Sequence, residues 1–149
     1  MNALENIKAT GQLKITVTAP DGSVKQEQTV KNLVVTSGLE YIASRMKDAT
    51  ATAMSHMAIG TGSTAPALGN TALGTESARV ALTSTTVTGN AVAYNATFPA
   101  GTPATLTAIT EAGIFNAASA GTMLCRTVFA AVNKDVNDTL SITWTVTIS

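Results

Sequence analysis

The stretch Thr139–Ser149 reads TLSITWTVTIS, and it decides the fold. Leu140, Ile142, Trp144, Val146 and Ile148 alternate without error with Ser141, Thr143, Thr145 and Thr147. Successive side chains of a strand point to opposite faces, so this is a half-buried β-strand, apolar on one face and hydroxylated on the other. Because the pattern runs to Ser149, it predicts a C-terminus pinned in a sheet.

The same period recurs on either side. Leu13, Ile15 and Val17 alternate with Lys14, Thr16 and Thr18. Pro20-Asp21-Gly22 then supplies a turn, and Ser23–Val30 returns as a more polar partner, which predicts a hairpin. Met54–Gly60 is a short strand candidate. Arg79–Thr88 and Ala91–Pro99 flank Gly89-Asn90, a two-residue hairpin turn, with Val92, Tyr94, Ala96 and Phe98 along one face. Thr122–Val132 reads as a further strand and Asn133–Asp138 as a polar loop. One segment changes period. In Asn32–Met46 (NLVVTSGLEYIASRM), Ser37 with Glu40 forms a capping-box signature. Leu39, Ile42, Ala43 and Met46 then fall at helical spacing, which predicts a helix over 38–47. The expected architecture is a mainly β, antiparallel β-sandwich of jelly-roll or Ig-like type with one inserted short α-helix. It occupies residues 1–149 as a single domain, with residues 1–9 as an N-terminal arm or lead-in strand. Residues 60–75 (GTGSTAPALGNTALGT) have no clear period. A loop of that length is usually functional or docked on a partner.

Composition narrows the function classes. Charged residues make up 12% of the 149-residue chain, about half the roughly 25% usual for soluble proteins. Nine basic side chains balance nine acidic ones, so net charge favours neither nucleic acid nor an anionic membrane. The 26 Thr and 25 Ala residues fill the space that charges normally take. Such a surface implies cover by other protein, and a homo-oligomer, dimer or trimer, is expected. The single cysteine, Cys125, excludes an internal disulfide and a Cys-based zinc site. The chain opens without a basic-then-apolar leader, and no apolar run approaches about 18 residues. Neither a secreted precursor nor a membrane span is therefore expected.

Candidates for chemistry are few. Gly60-Thr61-Gly62 lacks the Gly-Lys-Ser/Thr that completes a phosphate-binding loop and reads as a tight turn. His56, the only histidine, has no nucleophile signature beside it and reads as a strand residue satisfied by a neighbour. Cys125 lies in an apolar strand, with Arg126 on the opposite face, and reads as a buried, inert thiol. The sequons at Asn95 and Asn137 carry little weight without a secretion signal. Glu111, in Ile109–Asn116 (ITEAGIFN), stands alone in an apolar run. Paired-carboxylate catalysis would need a second acid in the same setting. Glu111 is therefore expected to be a buried anchor, partnered by Arg79 or Arg126. No catalytic, cofactor-binding or metal-ligating residue is assigned, and no cofactor or metal is expected. A carbohydrate-binding sandwich would need exposed aromatics, whereas Trp144 sits on the apolar face of its strand.

The succession NLVVTSGLEYIASRM, HMAIGTG, NTALGTESARVAL, ITEAGIFNA, GTMLCRTVF and LSITWTVTIS resembles small structural proteins of tailed bacteriophages, over roughly residues 30–149. It is similar to modules of tail-fibre and tail-collar proteins and to head decoration (cement) proteins. The resemblance implies a non-enzymatic virion protein, assembled in the host bacterial cytoplasm. Its implied partners are the major capsid protein or other virion proteins. The capsid surface is the first expectation, and a tail-fibre or tail-collar/baseplate attachment role is the alternative.

Overall fold

The computed structural model describes residues 7–47 and 51–149; most of the expected arm, residues 1–6, lies outside them. Among the described residues nine strands and one short helix follow in the order β1 (Ala9–Thr18), β2 (Val24–Val34), α1 (Thr36–Ser44), β3 (His56–Gly60), β4 (Glu76–Ala81), β5 (Ser84–Thr88), β6 (Ala91–Phe98), β7 (Leu106–Phe115), β8 (Met123–Lys134) and β9 (Thr139–Ile148). The fold is mainly β and antiparallel with one inserted helix, as expected. The strands form one continuous, curled sheet, β4-β3-β7-β8-β2-β1-β9-β6-β5. It curls because β2 serves two partners. Gly11 to Thr18 of β1 pair along most of β2, whereas β8 meets β2 only at Leu33↔Arg126 and Val34↔Cys125.

The half-sheet β5-β6-β9-β1 and the half-sheet β4-β3-β7-β8 share one apolar core. Leu13, Ile15 and Val17 of β1 and Leu140, Ile142, Trp144 and Val146 of β9 meet Met57, Ile59, Ala112 and Ile114 from the other half. The perfect alternation of β9 thus has its expected outcome. The C-terminus is held too, since Lys8 and Ser149 exchange backbone hydrogen bonds of 2.6 and 2.8 Å.

Three local expectations need correction. The run Arg79–Thr88 is not one strand. Leu82 N donates to Ser55 O (2.8 Å) and Thr83 N donates to Asn95 O (2.7 Å), so the chain crosses between half-sheets at these two residues. The helix begins at Thr36, with Val35 as N-cap and no side-chain cap. Ser37 Oγ instead donates to Met123 O at 2.8 Å. The helix also turns a different face inward. Gly38 lies so close to the Leu124 backbone that a Cβ there would collide with it. That contact brings Tyr41 and Ile42 against the core and leaves Leu39 and Met46 exposed. Finally, β8 extends through Asn133 and Lys134, which shortens the polar loop to 135–138. The turns at Pro20-Asp21-Gly22 and Gly89-Asn90 form as expected. In the second, Gly89 takes φ +59° between the paired Thr88 and Ala91.

Candidate functional site: a buried carboxylate that orders the 60–75 loop

From Glu111 to Phe115 strand β7 is buried on both faces. Ala112 and Ile114 point into the main core, while Phe115 joins Val35, Ala58, Leu73 and Met123 in a second cluster. Glu111 and Gly113 share the side of Phe115, and residues 60–75 lie over them. Gly113 pairs with Arg126 of β8, and Glu111 is diagonal to it across the ladder. Arg126 therefore reaches across a residue without a side chain.

Glu111 is fully buried and Arg126 is 2% exposed. Arg126 donates to Glu111 Oε2 from Nε (3.1 Å) and Nη2 (2.9 Å). The carboxylate also accepts three backbone N–H groups, from Gly62 (2.9 Å) and Thr75 (2.7 Å) at Oε1 and from Gly74 (2.8 Å) at Oε2. The guanidinium in turn donates to Asn70 Oδ1 and Thr64 O, both at 3.0 Å, and Thr110 Oγ1 donates to Gly62 O at 2.8 Å. The pair thus satisfies its own polar atoms and ties both ends and the middle of the loop to the sheet, which is what a buried charge requires in order to persist. Burial alone would push the Glu111 carboxyl up. The N–H groups of Thr75 and Gly74, the Arg126 guanidinium and the N–H of Gly62 outweigh it and hold the carboxyl below its ordinary value.

The glycines follow from this geometry. A Cβ on Gly62 would sit 2.5 Å from Glu111 Oε1, and one on Gly60 would sit 2.6 Å from the same atom. Gly60-Thr61-Gly62 therefore does lie against an anion, in the manner of backbone anion nests, and the anion is the protein's own carboxylate. Residues 60–75, which have no clear period in the sequence, are thus held to the sheet by internal bonds.

The alternative partner, Arg79, is used elsewhere. It makes a bidentate pair with Glu76 (2.6 and 3.0 Å), donates to Ala117 O and Ala120 O at 2.9 Å each, and stacks 3.8 Å from the centre of the Phe115 ring. Between positions 49 and 133 the charged residues are Glu76, Arg79, Glu111 and Arg126, and all four are consumed in these two ion pairs. The sequence narrowed the partner of Glu111 to Arg79 or Arg126, and the structure gives Arg126.

The other candidates fall into place singly. His56 Nδ1 shares a 2.8 Å hydrogen bond with Ser55 Oγ. Cys125 is fully buried in the main core, and burial pushes its thiol up. Lys134, which the sequence did not single out, is fully buried and donates to Pro103 O at 3.2 Å. Among the described residues no cluster of His, Cys, Asp and Glu could hold a metal ion, and no helix is long and apolar enough to cross a membrane.

Among the depressions on the described surface, two are sizeable. One, of about 660 Å³, lies on the outer face of β1, β2 and β9 and is lined by Gln12, Lys14, Lys31, Thr143 and Thr145 among others. The second, of about 320 Å³, is apolar and lies between α1 and the β5-β6-β9 half, with Ile42, Val87, Val92, Tyr94 and Val146 in its wall. Burial pushes the Tyr94 phenol up to about 12, so it stays neutral there. No protein-family model matches the chain, and no curated protein or solved structure is significantly similar to it.

Proposed function

We propose that this chain is a non-enzymatic structural protein of a tailed-phage virion, a capsid decoration (cement) protein that bridges major capsid subunits on the particle exterior. The observation that carries this reading is the ordered, uncharged 60–75 loop. The Glu111–Arg126 pair holds it from beneath, while Ser63, Ala65, Ala67 and Leu68 face outward and exposed. A loop already fixed in place loses little entropy on docking, and small side chains let a partner's backbone approach closely. Many copies of such a modest contact stabilise a shell by mass action. The resemblance to phage structural proteins runs through the same elements, since HMAIGTG, ITEAGIFNA and GTMLCRTVF are β3, β7 and β8.

The test is quantitative protein mass spectrometry on purified particles of the phage that encodes the chain. A copy number comparable to that of the major capsid protein is expected. A count matching a tail ring would move the protein to the tail-fibre or collar role, and absence from the particle would overturn the reading. Turnover of a cell-wall or glycan substrate by the pure protein would reassign it as an enzyme.

A further inference from the structure

The continuous sheet ends in two edge strands, β4 and β5. An edge strand presents a row of unpaired N–H and C=O groups, and proteins that stay monomeric blunt it with charge, proline, bulges or cover. β4 is blunted. It carries the Glu76–Arg79 pair, and its register with β3 is broken between Ile59 and Gly60. β5 has none of these devices. Its sequence Ser84-Thr-Thr-Val-Thr88 is exposed at every position and pairs with β6 without a register break. Four of its five residues are β-branched, the type best suited to a strand.

The charge around this edge is as unusual as its exposure. Residues 80–110, which contain β5, β6 and the connection to β7, hold no charged side chain, and neither do residues 139–149 of β9. The β5, β6 and β9 strands themselves therefore carry no charge, and the charged residue lining the cleft beside them is Arg45, after the end of α1. Such a surface fits a copy of itself, because association there buries no ion and brings no like charges together. The core-facing row also runs off this edge unfinished. Val87 pairs with Val92, and Val92 with the buried Val146, yet Val87 is 70% exposed at the rim of the apolar cleft.

We infer that β5 is a homotypic docking edge, along which a second copy of this chain adds antiparallel about a two-fold axis centred on Thr86. That register uses all five residues, with Ser84 opposite Thr88 of the other copy, Thr85 opposite Val87, and Thr86 opposite Thr86. The two Val87 and two Thr85 side chains then continue the core-facing row across the junction, and the two sheets become one. A two-fold contact of this kind closes on itself and yields a dimer. The inference goes beyond the virion reading and does not depend on it, since it concerns the isolated chain.

Sedimentation velocity on the full chain over a concentration series tests it. The wild type is expected to be a reversible dimer, and Thr86→Lys to be a monomer with unchanged far-UV circular dichroism, because it sets two cations face to face. Thr85→Glu combined with Val87→Lys places opposite charges across the junction and is expected to remain dimeric, whereas Thr85→Lys with Val87→Lys is not. Under mild oxidation Thr86→Cys is expected to form a covalent dimer and Ser84→Cys is not, since residue 84 does not face itself. A wild type that stays monomeric at the highest concentration reached, or a dimer that survives Thr86→Lys, overturns the inference.

Discussion

β4 and β5 are neighbours in sequence, separated only by Leu82 and Thr83, yet they are the opposite edges of the sheet. The half that ends in β4 is covered on both faces, by the common core within and by the 60–75 loop and its small cluster without. The half that ends in β5 has one buried face and one of exposed or half-exposed Thr, Asn and Ala. The first places one ion pair inside, Glu111–Arg126, where it fixes a loop, and a second, Glu76–Arg79, at its edge; the second half has no charge on its last three strands. Sparse charge therefore serves two different ends in one molecule. Where it is present it specifies local structure, and where it is absent it leaves a surface with nothing to repel a neighbour.

Substitutions can break this contrast, and the largest effect belongs at its centre. Glu111→Ala strands a guanidinium that is 2% exposed and removes the acceptor of three loop N–H groups. It is expected to destabilise by about 3–5 kcal/mol, read as a shift in the urea midpoint; an unchanged midpoint would show the pair to be dispensable. Gly62→Ala comes next. It drives a methyl group against the carboxylate and is expected to lose about 1–3 kcal/mol. Gly69→Ala in the same loop, with open space around its Cβ position, should stay within about 0.5 kcal/mol.

Acid sharpens the contrast in a different way. Glu111 titrates lower in the fold than in the unfolded chain, so as pH falls the unfolded state takes up its proton first. Its stabilisation is complete above the ordinary value of 4.5 and is lost as pH drops below that through the folded value. Asp138, held low by Lys25 and by the Asp135 N–H, and Asp21, held low by Ser23, add to the same slope. Urea denaturation between about pH 7 and about pH 3 should show stability falling at the acid end. The fall should be shallower in Glu111→Gln, and an identical slope in that variant would assign the acid sensitivity to the aspartates alone. The smallest effect is expected at the other edge. Thr86→Lys should change monomer stability by no more than about 0.5 kcal/mol in thermal melts, because Thr86, like every residue of β5, is exposed.

Much of this contrast is legible in the residues. Period-two alternation placed β1, β6 and β9, and Gly89-Asn90 placed the β5-β6 hairpin, because both signals are local and follow from strand geometry. The isolation of Glu111 in an apolar run required a cationic partner, and two arginines were available. What stayed hidden depends on contacts between distant backbone segments. Three of the five donors to Glu111 are main-chain N–H groups, which every residue but proline possesses, so no side chain announces them. The helix face was misjudged because Gly38 docks against β8 through what it lacks. The break at Leu82-Thr83 falls inside a β-branched run with no glycine or proline to mark it, so one long strand was the natural reading.

The way the 60–75 loop is tethered bears on how its sequence can change over generations. Apart from Asn70 and Leu73, its attachments to the sheet run through main-chain atoms of Gly62, Thr64, Gly74 and Thr75. Glycine at 60 and 62 is demanded by sterics, whereas the outward side chains at 63, 65, 67 and 68 hold nothing in place. Substitutions can therefore rewrite those four positions without loss of foldedness. The segment is mutationally tolerant at its crest and intolerant at its feet.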